Sequence, residues 1–428
     1  MRRIFRFAAL MLCASMVLSL AACQNNQPTS VFQSNAGVER TQKDATVNPD
    51  NLYGMCFLQE FWESKNHAEY DCADSVAIMK NLGVRVWRNW MHLPWLLDAP
   101  DLINPDAAAR FHQSTQAAQK QGIEVIGMSH FWFTERANEV FAVPDRDLTA
   151  GSEYMRFLDS YRLSWETMVR EFPEITLWEI GNEINNDAFV HPFDWATTGR
   201  VFDFEQKALI AVDMSYYASL GVHTANPAAT TILGGLASPN AFYNGKNENF
   251  LERMYQLIGS GVWPSTDPDD FFEALAWHPY TTTQTSEKKP AMDWVQVNLD
   301  LYAIAQKYEK KAKKVYLTEV GWYDTATLNE KDFEADLDRN IAYMQEMYRL
   351  TAEYLPFVES ICYFRLYNDY SEWTWQKARW VTSFGLLHDP VYEDGLPKSI
   401  AYAYQAMAGG QGDLTLSRNR FPEPNPYF

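Results

Sequence analysis

The sequence predicts a (β/α)8 barrel, and three observations carry that expectation. Eight short apolar stretches of strand character recur between residues 52 and 368. Amphipathic stretches of helical period lie between most of them, the alternation of a parallel sheet with crossover helices. Several of those helices close on a glycine just before the next strand, as in Leu82-Gly83-Val84 and Gln121-Gly122-Ile123. Eight is the strand number that closes such a barrel. An open doubly wound sheet is the alternative that the same alternation allows.

In chain order the strands are expected at residues 52–57, 84–90, 124–131, 175–183, 231–236, 274–280, 314–322 and 360–368. Helices are expected at 68–81, 107–121, 153–171, 204–220, 292–307 and 330–353, and residues 397–407 read as the eighth helix. Residues 226–230 and 245–249 read as local loops. The chain of 428 residues, 47% of them hydrophobic, is long enough for one large barrel domain over 51–410 with a tail over 411–428. Acidic residues outnumber basic ones by 55 to 36, for a formal charge of -19, which argues against nucleic acid as a partner.

The first 23 residues stand apart from the domain. Arg2, Arg3 and Arg6 precede an apolar run from Phe7 to Leu20 of signal-peptide length, too short for a spanning helix. It ends in Leu20-Ala21-Ala22-Cys23, which resembles the bacterial lipobox, and Gln24 resembles the residue that follows in lipoproteins sent to the outer membrane. That resemblance implies lipidation at Cys23 and an exported bacterial lipoprotein, on the periplasmic face or the cell surface. A plain signal peptide would leave Cys23 incidental. Residues 24–50 are polar and poor in aromatics, and read as a flexible tether. Of the remaining cysteines, Cys56, Cys72 and Cys362 fit no metal spacing; buried thiols are expected, with a Cys56–Cys72 bridge as the alternative.

The chemistry is expected where barrel strands end. Strand four, Ile175-Thr176-Leu177-Trp178-Glu179-Ile180-Gly181-Asn182-Glu183, is an apolar run that stops on an amide and a carboxylate. Strand seven, Val315-Tyr316-Leu317-Thr318-Glu319-Val320-Gly321-Trp322, carries a lone carboxylate, and a Glu between Leu and Val is rarely buried without a partner or a task. Strand two brings Arg85 and Arg88, strand three His130 followed by Phe131 and Trp132, and strand six Trp277-His278-Pro279-Tyr280. Two carboxylates facing each other across a barrel mouth are the equipment of glycoside hydrolysis, retaining when ~5–5.5 Å apart. Arg85 and the Tyr280 hydroxyl are expected to hold Glu319 ionised, and that anion to keep Glu183 protonated near neutral pH. Strand parity puts Arg85 and Arg88 on opposite faces, and Arg85 is the expected partner of Glu319. Glu179 reads as a supporting carboxylate, one face away from Asn182.

On these residues the chain resembles the clan A glycoside hydrolases over nearly all of 51–408. Trp277-His278-Pro279-Tyr280 and the closing Phe384-Gly385-Leu386-Leu387 with Pro397-Lys398 are most like family 39 and its exopolysaccharide-degrading relatives, with family 5 second. The resemblance implies Glu183 as acid/base, Glu319 as nucleophile and Asn182 on the sugar 2-hydroxyl. Arg85 would contact the nucleophile, His278 and Tyr280 would line the same site, and His130 would match a strand-three histidine. Two departures stand out. Ile184 follows Glu183 where the clan usually has Pro, and the strand-eight position often held by Trp reads Phe364-Arg365-Leu366-Tyr367, where Arg365 would favour an acidic or modified sugar.

Among the 15 tryptophans, Trp132, Trp322, Trp373 and Trp375 fall near strand ends and are expected at sugar subsites, with 373–380 as a substrate-contacting flap. Neither a metal nor another cofactor is expected. The expected protein is a monomeric, lipid-anchored retaining hydrolase of a β-linked polysaccharide or oligosaccharide. A glycan-binding barrel without turnover and a transglycosylase remodelling exopolysaccharide are the alternatives.

Overall fold

The computed structural model describes residues 31–57, 72–130, 141–237, 249–280, 292–324, 330–368, 383–389 and 395–415. Eight parallel strands form its centre: β1 (Tyr53–Cys56), β2 (Val86–Trp90), β3 (Glu124–Ser129), β4 (Leu177–Asn182), β5 (Thr230–Gly235), β6 (Leu275–Ala276), β7 (Val315–Val320) and β8 (Val358–Phe364). The ladder runs from β6 through β7, β8, β1, β2, β3 and β4 to β5, and the bridges Ile232↔Ala274 and Leu236↔Trp277 join β5 back to β6. The ring is a (β/α)8 barrel, as the alternation predicts, and not an open sheet.

The helices of eight or more residues among the described residues are α1 (Cys72–Leu82), α2 (Pro105–Lys120), α3 (Glu153–Glu171), α4 (Phe204–Ala225), α5 (Phe250–Ile258), α6 (Met292–Tyr308), α7 (Glu330–Tyr354) and α8 (Ser399–Met407). Local chemistry starts them: Asn104 caps α2 with Pro105 in its first turn, Ser152 caps α3, and Asp203 with Gln206 makes a capping box on α4. The α3 residues Tyr154, Phe157, Leu158, Tyr161, Trp165 and Met168 are buried, the inward stripe of an amphipathic helix. The sequence reading placed no helix between strands five and six; α5 lies there, capped by Asn249, with Phe250, Leu251, Met254, Leu257 and Ile258 buried.

Two apolar layers follow from strand alternation. Cys56, Val86, Ile126, Leu177, Ile232, Tyr316 and Cys362 point into the barrel, while Trp87, Trp178, Leu233, Leu317 and Tyr363 join the layer between sheet and helices. Cys56 and Cys362 are free buried thiols, so Cys56 makes no bridge to Cys72.

Residues 31–50 correct the expectation of a flexible tether. Phe32 stacks on Trp263 at 5.6 Å and 19°, Arg40 pairs with Asp270, and the Asn48 amide donates to Glu359 at 3.0 Å. Phe32, Arg40 and Asn48 dock the strap, with further bonds at Gln33, Thr41 and Lys43. Residues 24–30, with Cys23, lie outside the described residues, as do 416–428 of the tail; Leu414 is buried. No helix among the described residues is long and apolar enough to cross a membrane. Under the strap, a cavity of about 350 Å³ is lined by Lys43, Glu124, Glu273, Lys314, Tyr316 and Glu359, and its Lys314 pairs with Glu359 at 3.1 Å.

Candidate active site

Two breaks in strand alternation bring the polar residues together. Along β7, Leu317 pairs with Ile361 but Val320 pairs with Tyr363, so three steps on one strand meet two on the other. This bulge leaves Thr318 and Glu319, consecutive residues, both directed into the barrel. Along β4, Gly181 takes φ +86°, a conformation that favours glycine, and resets the alternation between Glu179 and Asn182. Both therefore reach Arg88, and Glu179 is not one face away from Asn182. Glu183 itself has φ +45°, uncommon for a residue with a side chain, and its amide is tied to the Gly235 carbonyl at 2.6 Å.

Arg88 is the centre of the arrangement. It is fully buried; Nε and Nη2 donate to Glu179 at 2.5 and 3.0 Å, Nη1 to Glu319 at 2.6 Å, and Nη2 to Asn182 Oδ1 at 2.7 Å. Burial opposes its charge, but Glu179 and Glu319 outweigh it and raise its pKa well above the usual value. This corrects the choice of Arg85. The strand begins at Val86, its inward positions are Val86, Arg88 and Trp90, and Arg85 is exposed ahead of it.

Glu319 also accepts from the Tyr280 hydroxyl at 3.3 Å. Burial, then Glu319 and Glu183, push the Tyr280 pKa well up, so it stays a donor. Glu183 lies opposite: His278 Nδ1 is 3.1 Å from its Oε1, and Asn186 donates to its Oε2 at 2.7 Å. One carboxyl oxygen of Glu183, one of Glu319 and a ring nitrogen of His278 all lie within 4.8 Å of one another. The Glu183 and Glu319 side chains keep 15% and 11% of their exposure, enough to be reached from the mouth.

The expected protonation of Glu183 needs correction. Burial raises its pKa, but the hydrogen bond and charge of His278, then Asn186 and Arg88, more than offset this and hold it below the usual value. By donor type Glu183, His278 and Glu319 form a cluster that suits a metal ion. Arg88 already holds Glu319 Oε1 at 2.6 Å, and its fixed positive charge repels a second cation at that carboxylate, so the trio is a poor fit for one.

His130 is fully buried and accepts the Asn182 amide on Nε2 at 3.2 Å. Burial drives its pKa well down, which keeps that nitrogen an acceptor. It acts on the site through Asn182 and is not itself open to a ligand. His278 is likewise fully buried, behind Glu183. The expectation of Trp322 at a sugar subsite is also corrected: outward parity from Val320 carries it under α7, against Tyr343 and Tyr363 at 5.9 and 6.5 Å. Trp132, Trp373 and Trp375 lie outside the described residues, as does the 373–380 flap. The Arg365 guanidinium lies 5.5 Å from the centre of the Phe364 ring. Sequence reasoning missed Thr318, Asn186 and the aromatic wall of Trp90, Phe141 and Phe189, packed around His130 at 5.1, 4.7 and 5.4 Å.

Neither a protein-family model nor a curated protein matches the chain. Solved structures do. A family 39 glycoside hydrolase from Bacteroides cellulosilyticus WH2 aligns with a TM-score of 0.54 at 18% identity, over 87% of this chain and 66% of that one. A family 1 β-glucosidase from Thermotoga maritima aligns with a TM-score of 0.58 at 13% identity, over 87% of this chain and 100% of that one. The fold is the barrel of these glycosidases. The chain spans just under two thirds of the family 39 enzyme's length.

Proposed function

We propose that this protein is a retaining glycoside hydrolase acting on a β-linked polysaccharide or oligosaccharide. The supporting observation is an acid pair with unlike surroundings. Oxygens of Glu183 and Glu319 within 4.8 Å suit the ~5–5.5 Å of a double displacement rather than the ~6.5–9.5 Å of inversion. Glu319, oriented by Arg88 and Tyr280, attacks the anomeric carbon. Glu183, set against His278 and Asn186, protonates the leaving oxygen and then takes a proton from the attacking water. Asn182, fixed through His130 and Arg88, is the residue beside the nucleophile that meets the sugar. The names of the structural neighbours, a family 39 glycoside hydrolase and a β-glucosidase, agree with this reading. We assign Cys23 to a lipid anchor holding the enzyme in the bacterial envelope, on the strength of Leu20-Ala21-Ala22-Cys23.

A panel of aryl β-glycosides and polysaccharides, assayed beside Glu183→Gln and Glu319→Gln, tests the activity. Proton NMR of the first sugar released tests the stereochemistry. Retained configuration and loss of turnover in both variants are expected; an inverted product, or parental turnover in Glu319→Gln, would sink the mechanism. Loss of fatty-acid labelling in Cys23→Ser is the corresponding result for the anchor.

A further inference from the structure

His278 lies behind the acid pair with both ring nitrogens engaged. Nδ1 is 3.1 Å from Glu183 Oε1 and 3.7 Å from Glu319 Oε2, while Nε2 is 3.1 Å from Thr318 Oγ1. The Thr318 hydroxyl has one proton and two candidate acceptors, because Oγ1 is also 3.0 Å from Glu179 Oε1. Glu179 is fully buried and ion-paired with Arg88, and its Oε1 also accepts the Gly235 amide at 2.9 Å. A hydrogen bond to an ionised acceptor is roughly twice as strong as one between neutral groups, so the hydroxyl proton goes to Glu179. That leaves a Thr318 lone pair facing Nε2, which must then carry a hydrogen. In the neutral ring Nδ1 is therefore an acceptor, and it faces Glu183.

We propose that Thr318 is a positioning residue that fixes His278 as the Nε2–H tautomer, so that Nδ1 and the Glu183 carboxyl hold the acid's proton between them. This rests on the reading of Glu183 as acid/base. Among the described residues the other groups facing the ring are Glu319 and the Tyr280 ring, with Arg88 beyond Glu319, and none of these offers Nε2 an alternative acceptor. The proton balance closes. Before cleavage the pair carries one proton, on Nδ1 or on Oε1. As the glycosidic C–O bond breaks, the leaving oxygen takes the electron pair and that proton, and Glu319 forms its ester bond to the sugar. A neutral His278 and a Glu183 carboxylate remain. When water attacks the anomeric carbon the ester bond breaks, and the water's proton returns to the pair.

The test uses the full chain labelled with ¹⁵N-histidine, with the His278 signals assigned by their loss in His278→Gln. Above the alkaline limb, where the pair has lost its proton and the ring is neutral, the parent should show the Nε2–H signature. Thr318→Val should lose it, and the alkaline limb of kcat/KM, which belongs to the pair, should move to lower pH because the imidazolium loses its acceptor. The loss in kcat/KM should be about tenfold for a poor phenol leaving group and smaller for 4-nitrophenol, since only the former needs full proton donation. Thr318→Ser should rescue all three readouts. A parental ¹⁵N signature and pH limb in Thr318→Val overturns the proposal, and so does a Thr318→Ser that behaves like Thr318→Val. If the parent turns over no glycoside, the hydrolase reading fails while the ¹⁵N signature still decides the tautomer.

Discussion

Arg88 Nη1 meets Glu319 Oε1 at 2.6 Å while the same guanidinium holds Glu179 through two further bonds, so one buried cation ties β2, β4 and β7 together. Removing it would leave two carboxylates without their common partner in a water-poor barrel. Breaking a buried pair in this way costs about 3–5 kcal/mol. Arg88→Met should therefore lose about that much in urea unfolding and also lose turnover, whereas Arg85→Ala, at an exposed site, should match the parent in both. Equal midpoints for parent and Arg88→Met would refute the structural role given to this cation.

Gly235 shows how tightly the polar layer is closed. A Cβ there would lie 2.3 Å from His278 Nε2 and 2.8 Å from both Glu179 Oε1 and Thr318 Oγ1. Thr318 Oγ1 is bonded to both of the others, so the three atoms cannot all retreat. Gly235→Ala should cost about 1–3 kcal/mol of stability by overpacking and lower kcat more than KM. Thermal unfolding beside steady-state kinetics checks this, and an unchanged kcat would mean that the His278–Thr318 contact has no part in turnover.

The repeating part of the fold was open to sequence reasoning because it rests on local signals. The eight strand positions, most helices and the strand-end pair Asn182-Glu183 with Glu319 follow from apolar runs, caps and glycine stops. What escaped depends on residues distant in sequence or on backbone exceptions. Arg88 lost to Arg85 because the true start of β2 is set by pairing with β1 and β3, not by the apolar run that begins at Val84. Thr318 was invisible because period-two alternation sends it away from Glu319, and only the β7 bulge turns it inward. Trp322 looked like a subsite by position, yet the same parity that aims Val320 outward takes it to the helices. The strap reads as linker by composition, and a few specific contacts from Phe32, Arg40 and Asn48 override that average.

The Phe32 contact is measurable. Phe32 is 5% exposed, stacked on Trp263 and edge-on to Tyr217. Truncating a buried Phe costs about 3–5 kcal/mol when the surroundings do not collapse. Phe32→Ala should lower stability toward that range and expose residues 31–50 to limited proteolysis, while kcat/KM stays parental. Protease resistance equal to the parent would show that the strap is held without it.

A buried cluster beside the strap carries an acid-sensitive part of the stability. Lys313 is fully buried, 3.2 Å from Asp269 and 2.9 Å from Glu309, and Lys311 reaches Asp269 at 2.7 Å. Burial alone would raise the Asp269 pKa, but Lys313 and then Lys311 pull it below its ordinary value of 3.8. Burial leaves Glu309 shifted the other way. A carboxyl whose folded pKa is depressed stabilises fully above the unfolded value and loses that contribution as pH falls from the unfolded to the folded value. For Asp269 the window therefore opens near 3.8 and extends downward. Asp269→Asn should be less stable than the parent at neutral pH, and the gap should narrow as the solution is acidified through that window. Urea midpoints for both proteins along a pH series decide the point: a gap that stays constant into acid would assign the loss to packing rather than to charge.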